Sequence, residues 1–239
     1  MSAHTQLDPE THRDLRVNME ASAELGDGVM ACLTFPYEFR RVQNEFPILF
    51  RKDIASGSFS ALALFGFEPG ENLFLANGRW DARYKPLALA VQPFLIGRSP
   101  DPDRPPEVHV DLDHPRIARG SVGVRLFDDL GRPSPFLDQA ASRLGDLDEA
   151  FRASGDFYEA IERYQLLEPF SLDVELNDGS KHRLVGYHLI DEDRLMSLSP
   201  AETGELHRLG HLMPMFMALA SLSNIAGLVE RKNRTLADG

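Results

Sequence analysis

Three runs decide how this chain reads: FPILFRKD (46–53), SALALFGFEPGENLFL (60–75) and WDARYKPLALAVQPFLIG (80–97). After Pro47, Ile48-Leu49-Phe50 is a short apolar segment of strand type. Ser60–Phe67 is a second, apolar through its middle as a central strand would be. Glu68-Pro69-Gly70-Glu71 marks a turn, Asn72–Ala76 resumes an extended segment, and Asn77-Gly78 is a strong hairpin signal. Pro86 suits the first turn of a short helix that ends before Pro93. Upstream, Tyr37–Glu45 reads as another short helix.

Downstream the periods change. Phe136/Leu137, Ala140/Ala141, Leu144, Leu147 and Ala150/Phe151 recur at helical spacing, weakened at Gly145. Gly155 closes that helix, and Asp156 with Glu159 opens the next, which buries Phe157, Ala160/Ile161, Tyr164 and Leu167. Phe170, Leu172, Val174 and Leu176 alternate with polar residues, so a half-buried strand follows. Asn177–Ser180 turns the chain into its antiparallel partner, Lys181–Ile190. Ser199-Pro200-Ala201-Glu202 has Ser in the capping position, Pro next and Glu third, a strong helix start. Helix then runs to about Arg234, with a break at Gly210. The first 20 residues read as a loose polar lead-in. The fold class is α+β: antiparallel strands with helices concentrated in the C-terminal half.

The 239 residues read as a single domain (1–239), with an internal boundary at the Pro-rich segment 98–106, RSPDPDRPP. The 37 acidic and 25 basic residues leave a charge of −12, a field that argues against nucleic acid as a partner. The one cysteine, Cys32, excludes an intrachain disulfide and reads as a buried, inert thiol. Residues 1–20 hold no apolar signal region, so the expected location is cytoplasmic. Leu212–Val229 carries no charge. Pro214, Ser221, Ser223, Asn224 and Gly227 interrupt it, which favours a core or partner-facing helix and no membrane span.

Chemistry has few candidates. His109, Asp111 and Asp113 share one strand face, and a His-x-Asp pair can supply two ligands of a ferrous-iron facial triad. His182 or His188 would be the third, giving His109, Asp111 and His188 as the metal set of an oxygenase-like alternative. A solvated strand end competes with that reading. His207 and His211 have helical metal spacing but lack the glutamate of the metalloprotease motif. Glu68 and Asn72 at the turn, with Trp80 and Tyr84, could form a pocket, against core packing as the default. No serine elbow or phosphate-cradling glycine loop is present. No cofactor is predicted outside the iron alternative.

These runs resemble the SapC family. The likeness rests on FPILFRKD (46–53), LFGFEPGENLFL (64–75), the Trp80…Tyr84…Pro86 spacing and QPFLIG (92–97). It continues through Asp111-Leu112-Asp113 with Pro115-Arg116, LFDDLGRPSPFL (126–137), LLEPFSLDVELNDG (166–179) and SLSNIAGL (221–228). The resemblance implies a surface-layer-associated family without an agreed catalytic role. It therefore implies a soluble accessory or interaction protein of a bacterial cell-surface or uptake system, with a protein partner or a homo-oligomer formed through the Leu212–Val229 helix.

Overall fold

The computed structural model describes residues 4–98 and 106–238. The boundary expected at 98–106 therefore falls almost entirely outside the described residues. The fold is α+β, and elements are numbered along the chain.

Two compact units can be told apart. The first holds residues 1–28, 75–80 and 87–149. Its strands β8 (Phe94–Gly97), β9 (Glu107–Asp111) and β1 (His4–Gln6) make an antiparallel sheet in the order β1-β9-β8. A second sheet has β2 (Leu15–Val17) between β10 (Ile117–Arg119) and β11 (Val124–Arg125). The Asn77-Gly78 turn closes the two-residue strands β6 (Leu75–Ala76) and β7 (Arg79–Trp80), with Asn77 and Gly78 both at positive φ, as a type I′ turn requires. Helix α2 (Leu87–Ala90) follows Pro86 as expected. The apolar face of α3 (Pro135–Ala153) supplies Leu137, Ala140 and Leu144 to a core with Leu15, Val17, Phe94, Val110 and Leu126. The lead-in is thus partly strand, because β1 and β2 complete sheets whose other strands lie about a hundred residues away.

A buried ion pair fixes the loop of this unit. Asp27 is fully buried and Arg116 is 4% exposed. The Arg116 guanidinium donates to Asp27 and to the carbonyls of Asn18 and Glu20, both at 2.9 Å. The desolvation of a charge pair is offset only where further hydrogen bonds supplement the attraction, and here three acceptors share one guanidinium.

The second unit holds residues 29–74, 81–86 and 150–239. Its five-stranded antiparallel sheet runs β12 (Leu167–Glu175), β13 (Lys181–Ile190), β4 (Ile48–Lys52), β5 (Phe59–Leu64), β3 (Ala31–Thr34). Strand β5 stops at Leu64, short of the expected Phe67, where Phe65 and Gly66 donate to the Met30 carbonyl. Between β12 and β13 the register slips after Phe170, with Gly186 at φ 81°; a glycine is needed there for the extra residue of the bulge. Rings knit the core in edge-to-face pairs: Phe39 with Phe50 and Phe157, and Phe46 with Phe65 and Phe74.

Helices α1 (Phe39–Val42), α4 (Gly155–Arg163), α5 (Glu192–Met196) and α6 (Pro200–Arg208) complete it with α7 (Leu212–Ser221) and α8 (Asn224–Asp238). The α6 start is the capping box read from the sequence: Ser199 accepts from Glu202 N–H while the Glu202 carboxylate accepts from Ser199 N–H. Gly210, at φ 76°, ends α6 as expected.

The C-terminal run requires a correction. The expectation of no membrane span does not hold. Leu212–Ala237 is a 26-residue run made of α7 and most of α8 with a turn at Leu222-Ser223 between them; its 18-residue apolar window has a mean hydropathy of 1.7, and 22% of that window is buried. By length and composition it can cross a membrane, although a core helix meets the same two conditions. The polar punctuation misled in part: Ser221, Ser223 and Asn224 do lie at the turn between α7 and α8, but the fold satisfies the polar groups around it. Pro214 sits in the first turn of α7, where its missing N–H costs nothing. Ser221 and Ser223 return their hydroxyls to the carbonyls of Ala218 and Ala220.

Candidate functional site

In the second unit, Arg41, Asn44, Glu45, Arg83 and Tyr84 line an open cleft of about 730 Å³. Helix α1 buries Phe39 and Val42 and so turns Arg40 and Arg41 outward. Opposite, the loop 81–86 is clamped by Glu45, whose carboxylate accepts the backbone N–H of Arg83 at 2.8 and 2.9 Å and of Tyr84 at 3.1 Å. Glu45 therefore spends its charge on the backbone and holds the Arg83 and Tyr84 side chains at the rim.

Tyr84 is fixed from below. Its hydroxyl donates to Glu38 at 2.6 Å, Thr34 donates to the same carboxylate at 2.9 Å, and Glu38 is 1% exposed. Burial, then the hydrogen bond to Glu38 and the Glu38 charge, push the Tyr84 phenol well above its ordinary range, while Arg41 pulls it back. With the hydroxyl committed inward, the ring is left for stacking, and the Arg41 guanidinium lies 5.6 Å from its centroid. The cleft thus offers two planar cations and an aromatic face, the chemistry that takes oxyanions bidentately.

Of the pocket set proposed from the sequence, only Tyr84 belongs to this cleft. Glu68 faces His182 at 3.0 Å and Lys232 at 3.7 Å. Asn72 caps its own turn by accepting from Phe74 N–H at 3.0 Å. Trp80 pairs with Leu75 in the first unit. What the Glu68–Glu71 turn does hold is α8, through Lys232 with Glu71; beside it, Arg231 reaches Asp81 at 2.6 Å and lies 4.3 Å over the Phe74 ring.

His109 and Asp111 lie on β9 of the first unit and His188 on β13 of the second. The His109 ring occupies the space that a Cβ on Gly97 would need, so it packs on the backbone of β8. Asp111 caps the next turn by accepting from Asp113 N–H at 3.1 Å. Among the described residues no group of three or more His, Cys, Asp or Glu side chains is placed to hold a metal ion. His207 lies on α6 and His211 at the start of α7, on opposite sides of Gly210. Cys32 is half-buried; burial and then Glu38 push its thiol up, with Lys85 opposing, so it is a poor nucleophile at neutral pH.

Sequence reasoning missed Glu38, Arg41, Glu45 and Arg83. The one available signal was that the 37–45 helix buries Phe39 and Val42, which forces Arg40 and Arg41 into solvent.

Fold and site together define an α+β protein with an arginine-lined cleft of small-ligand size. The chain belongs to the SapC family, whose model matches residues 7–228. No curated protein and no solved structure matches it.

Proposed function

We propose that the protein is an accessory component of a bacterial cell-surface or uptake system and that it binds a small oxyanion-bearing ligand between Arg41 and Arg83. The family resemblance supports the setting. One observation carries the ligand class: a tyrosine locked by a buried glutamate, with one guanidinium over its ring and a second on its own clamped loop. A site that took a cation or a neutral apolar ligand would not place two guanidinium groups around an aromatic floor. Isothermal titration with citrate and with inorganic phosphate tests the reading. Binding should weaken at high salt, and Arg83→Ala should lower affinity roughly tenfold or more, since each charge-assisted bond is worth about 1.5–3 kcal/mol. Equal affinity of wild type and the Arg41→Ala/Arg83→Ala double variant would remove the site.

A further inference from the structure

A second cavity lies on the same unit and shares no residue with the arginine cleft. It measures about 470 Å³ and is lined by Lys52, Gly57, Phe59, Ile161, Glu162, Gln165, Leu167, Pro169 and His188. Register explains why these meet. Lys52 is opposite Phe59, and His188 is opposite both Phe50 and Pro169, so all of them point to one face of the five-stranded sheet. Helix α4 lies on that face: Tyr158 accepts from Ala61 N–H at 2.9 Å, and Phe157 reaches Phe39, which packs on Phe50. The end of α4 then brings Ile161, Glu162 and Gln165 over Lys52 and His188.

Three features mark this open cavity, at whose rim Lys52, Glu162 and Gln165 are exposed. The first is Gln165, which stands in the left-handed region at φ 54°. It ends α4 where Leu166 N–H returns to the Ile161 carbonyl at 3.0 Å and Gln165 N–H to Glu162 at 3.1 Å. That position ordinarily takes Gly or Asn, and a glutamine there retains backbone strain. Its side chain lines the cavity. The second is His188, whose ring stands edge-on to Phe59 with centroids 5.0 Å apart. Its Nδ1 is buried with no hydrogen-bond partner among the described residues. Buried polar atoms without partners are uncommon enough to need a reason. Because Nδ1 is sealed from solvent, a guest would have to meet the ring at Nε2. The third is charge: Lys52 and Glu162 both line the cavity, and among the described residues neither forms an ion pair with the other. The Lys52 ammonium instead lies 5.3 Å from the Phe59 centroid.

A positive and a negative group on the lining of one cavity, with an amide and an imidazole on the same lining, match a guest carrying both charges. We propose that this cavity binds a short zwitterion, a free amino acid or dipeptide. Lys52 takes its carboxylate, Glu162 its ammonium group, and Gln165 and His188 Nε2 bond the polar atoms between.

The test is isothermal titration of the intact protein with the twenty common L-amino acids and with L-alanyl-L-alanine at up to millimolar concentration. Each is paired with its N-acetyl and its C-terminal amide derivative. At least one zwitterion should bind, and capping either end should abolish the signal. A preference for the dipeptide over every amino acid would identify a peptide as the source, and the reverse would identify a free amino acid. No binding across the panel, or equal binding of the capped forms, overturns the proposal. Lys52→Met and Glu162→Gln should each weaken the best probe about tenfold or more. Gln165→Gly keeps the assignment falsifiable without risk to folding. Relieving the left-handed strain should raise the melting temperature by about 2–4 °C while affinity falls. A Gln165→Gly protein that is stabilised and binds unchanged would reduce Gln165 to a strained helix end and refute its part in the site.

Discussion

Tyr84→Phe tests the foundation of the arginine cleft by removing one oxygen atom. That oxygen donates to the Glu38 carboxylate at 2.6 Å, and the acceptor is 1% exposed. A hydrogen bond to a charged group contributes about 1.5–3 kcal/mol, more than a neutral pair, and a buried carboxylate that loses a donor carries part of its desolvation cost unrelieved. Because Thr34 still donates at 2.9 Å, the loss should stay near that range and not reach the cost of a bare charge. For a chain of this size it corresponds to a fall of roughly 3–12 °C in melting temperature. A second signature follows from the phenol's raised pKa. The neutral hydroxyl is favoured by the fold, so its contribution is complete below the ordinary value of 10.0 and disappears as pH rises through the higher folded value. Wild type should therefore lose stability above pH 10 more steeply than Tyr84→Phe. Urea denaturation against pH, with Glu38→Gln and the double variant closing a cycle, measures both. A cost below about 0.5 kcal/mol, or a coupling between Tyr84 and Glu38 within error of zero, would show that the cleft is not built on this pair.

Asp27→Ala removes the counter-ion of a guanidinium that is 4% exposed and should cost about 3–5 kcal/mol in urea denaturation. Replacing Asp27 and Arg116 together by Leu and Met should recover much of that loss, and failure to recover would mean that the carbonyl contacts of Arg116 dominate. His114, His188 and His211 all have pKa values held below their ordinary 6.5, in each case by burial first. The unfolded chain then binds protons more readily, so stability is complete above pH 6.5 and falls as pH drops through the lower folded values. Denaturation measured from neutrality down to about pH 5 should show this loss before the carboxylates titrate, and Gln at all three positions should flatten the curve.

What could be read from the sequence was local. The capping box at Ser199, the Asn77-Gly78 turn, the stop at Gly210 and the β12–β13 hairpin each depend on residues within a few positions of one another, and each is present. The first residues of the chain read as loose because His4–Gln6 is too short to show alternation, and its partner Glu107–Asp111 is remote. The cleft was hidden for the same reason. Tyr84 could be noticed as an aromatic beside a turn, but the group that fixes it, Glu38, lies 46 residues earlier with nothing local to distinguish it. Strain at Gln165 could not be read at all, since nothing in Tyr-Gln-Leu announces a left-handed residue. The apolar C-terminal run was misjudged by a different route: its serines and proline were counted against a span, whereas Pro214 sits in the first turn of α7 and both serines return their hydroxyls to the backbone beside the turn that separates α7 from α8.

The sheet order β12-β13-β4-β5-β3 also bears on how the protein is made. Strands β3, β4 and β5 leave the ribosome together, yet the flank of β4 is closed by β13, where Phe50 meets His188. At ~5–20 residues per second, the roughly 140 intervening residues take on the order of ten seconds to translate. Throughout that interval the edge of β4 at Phe50 and Arg51 lacks its strand partner. Nascent-chain length, and not the stability of the finished fold, then sets how long that edge stays open. Ribosome-bound chains that end before Lys181 should be the species a trigger-type holdase retains.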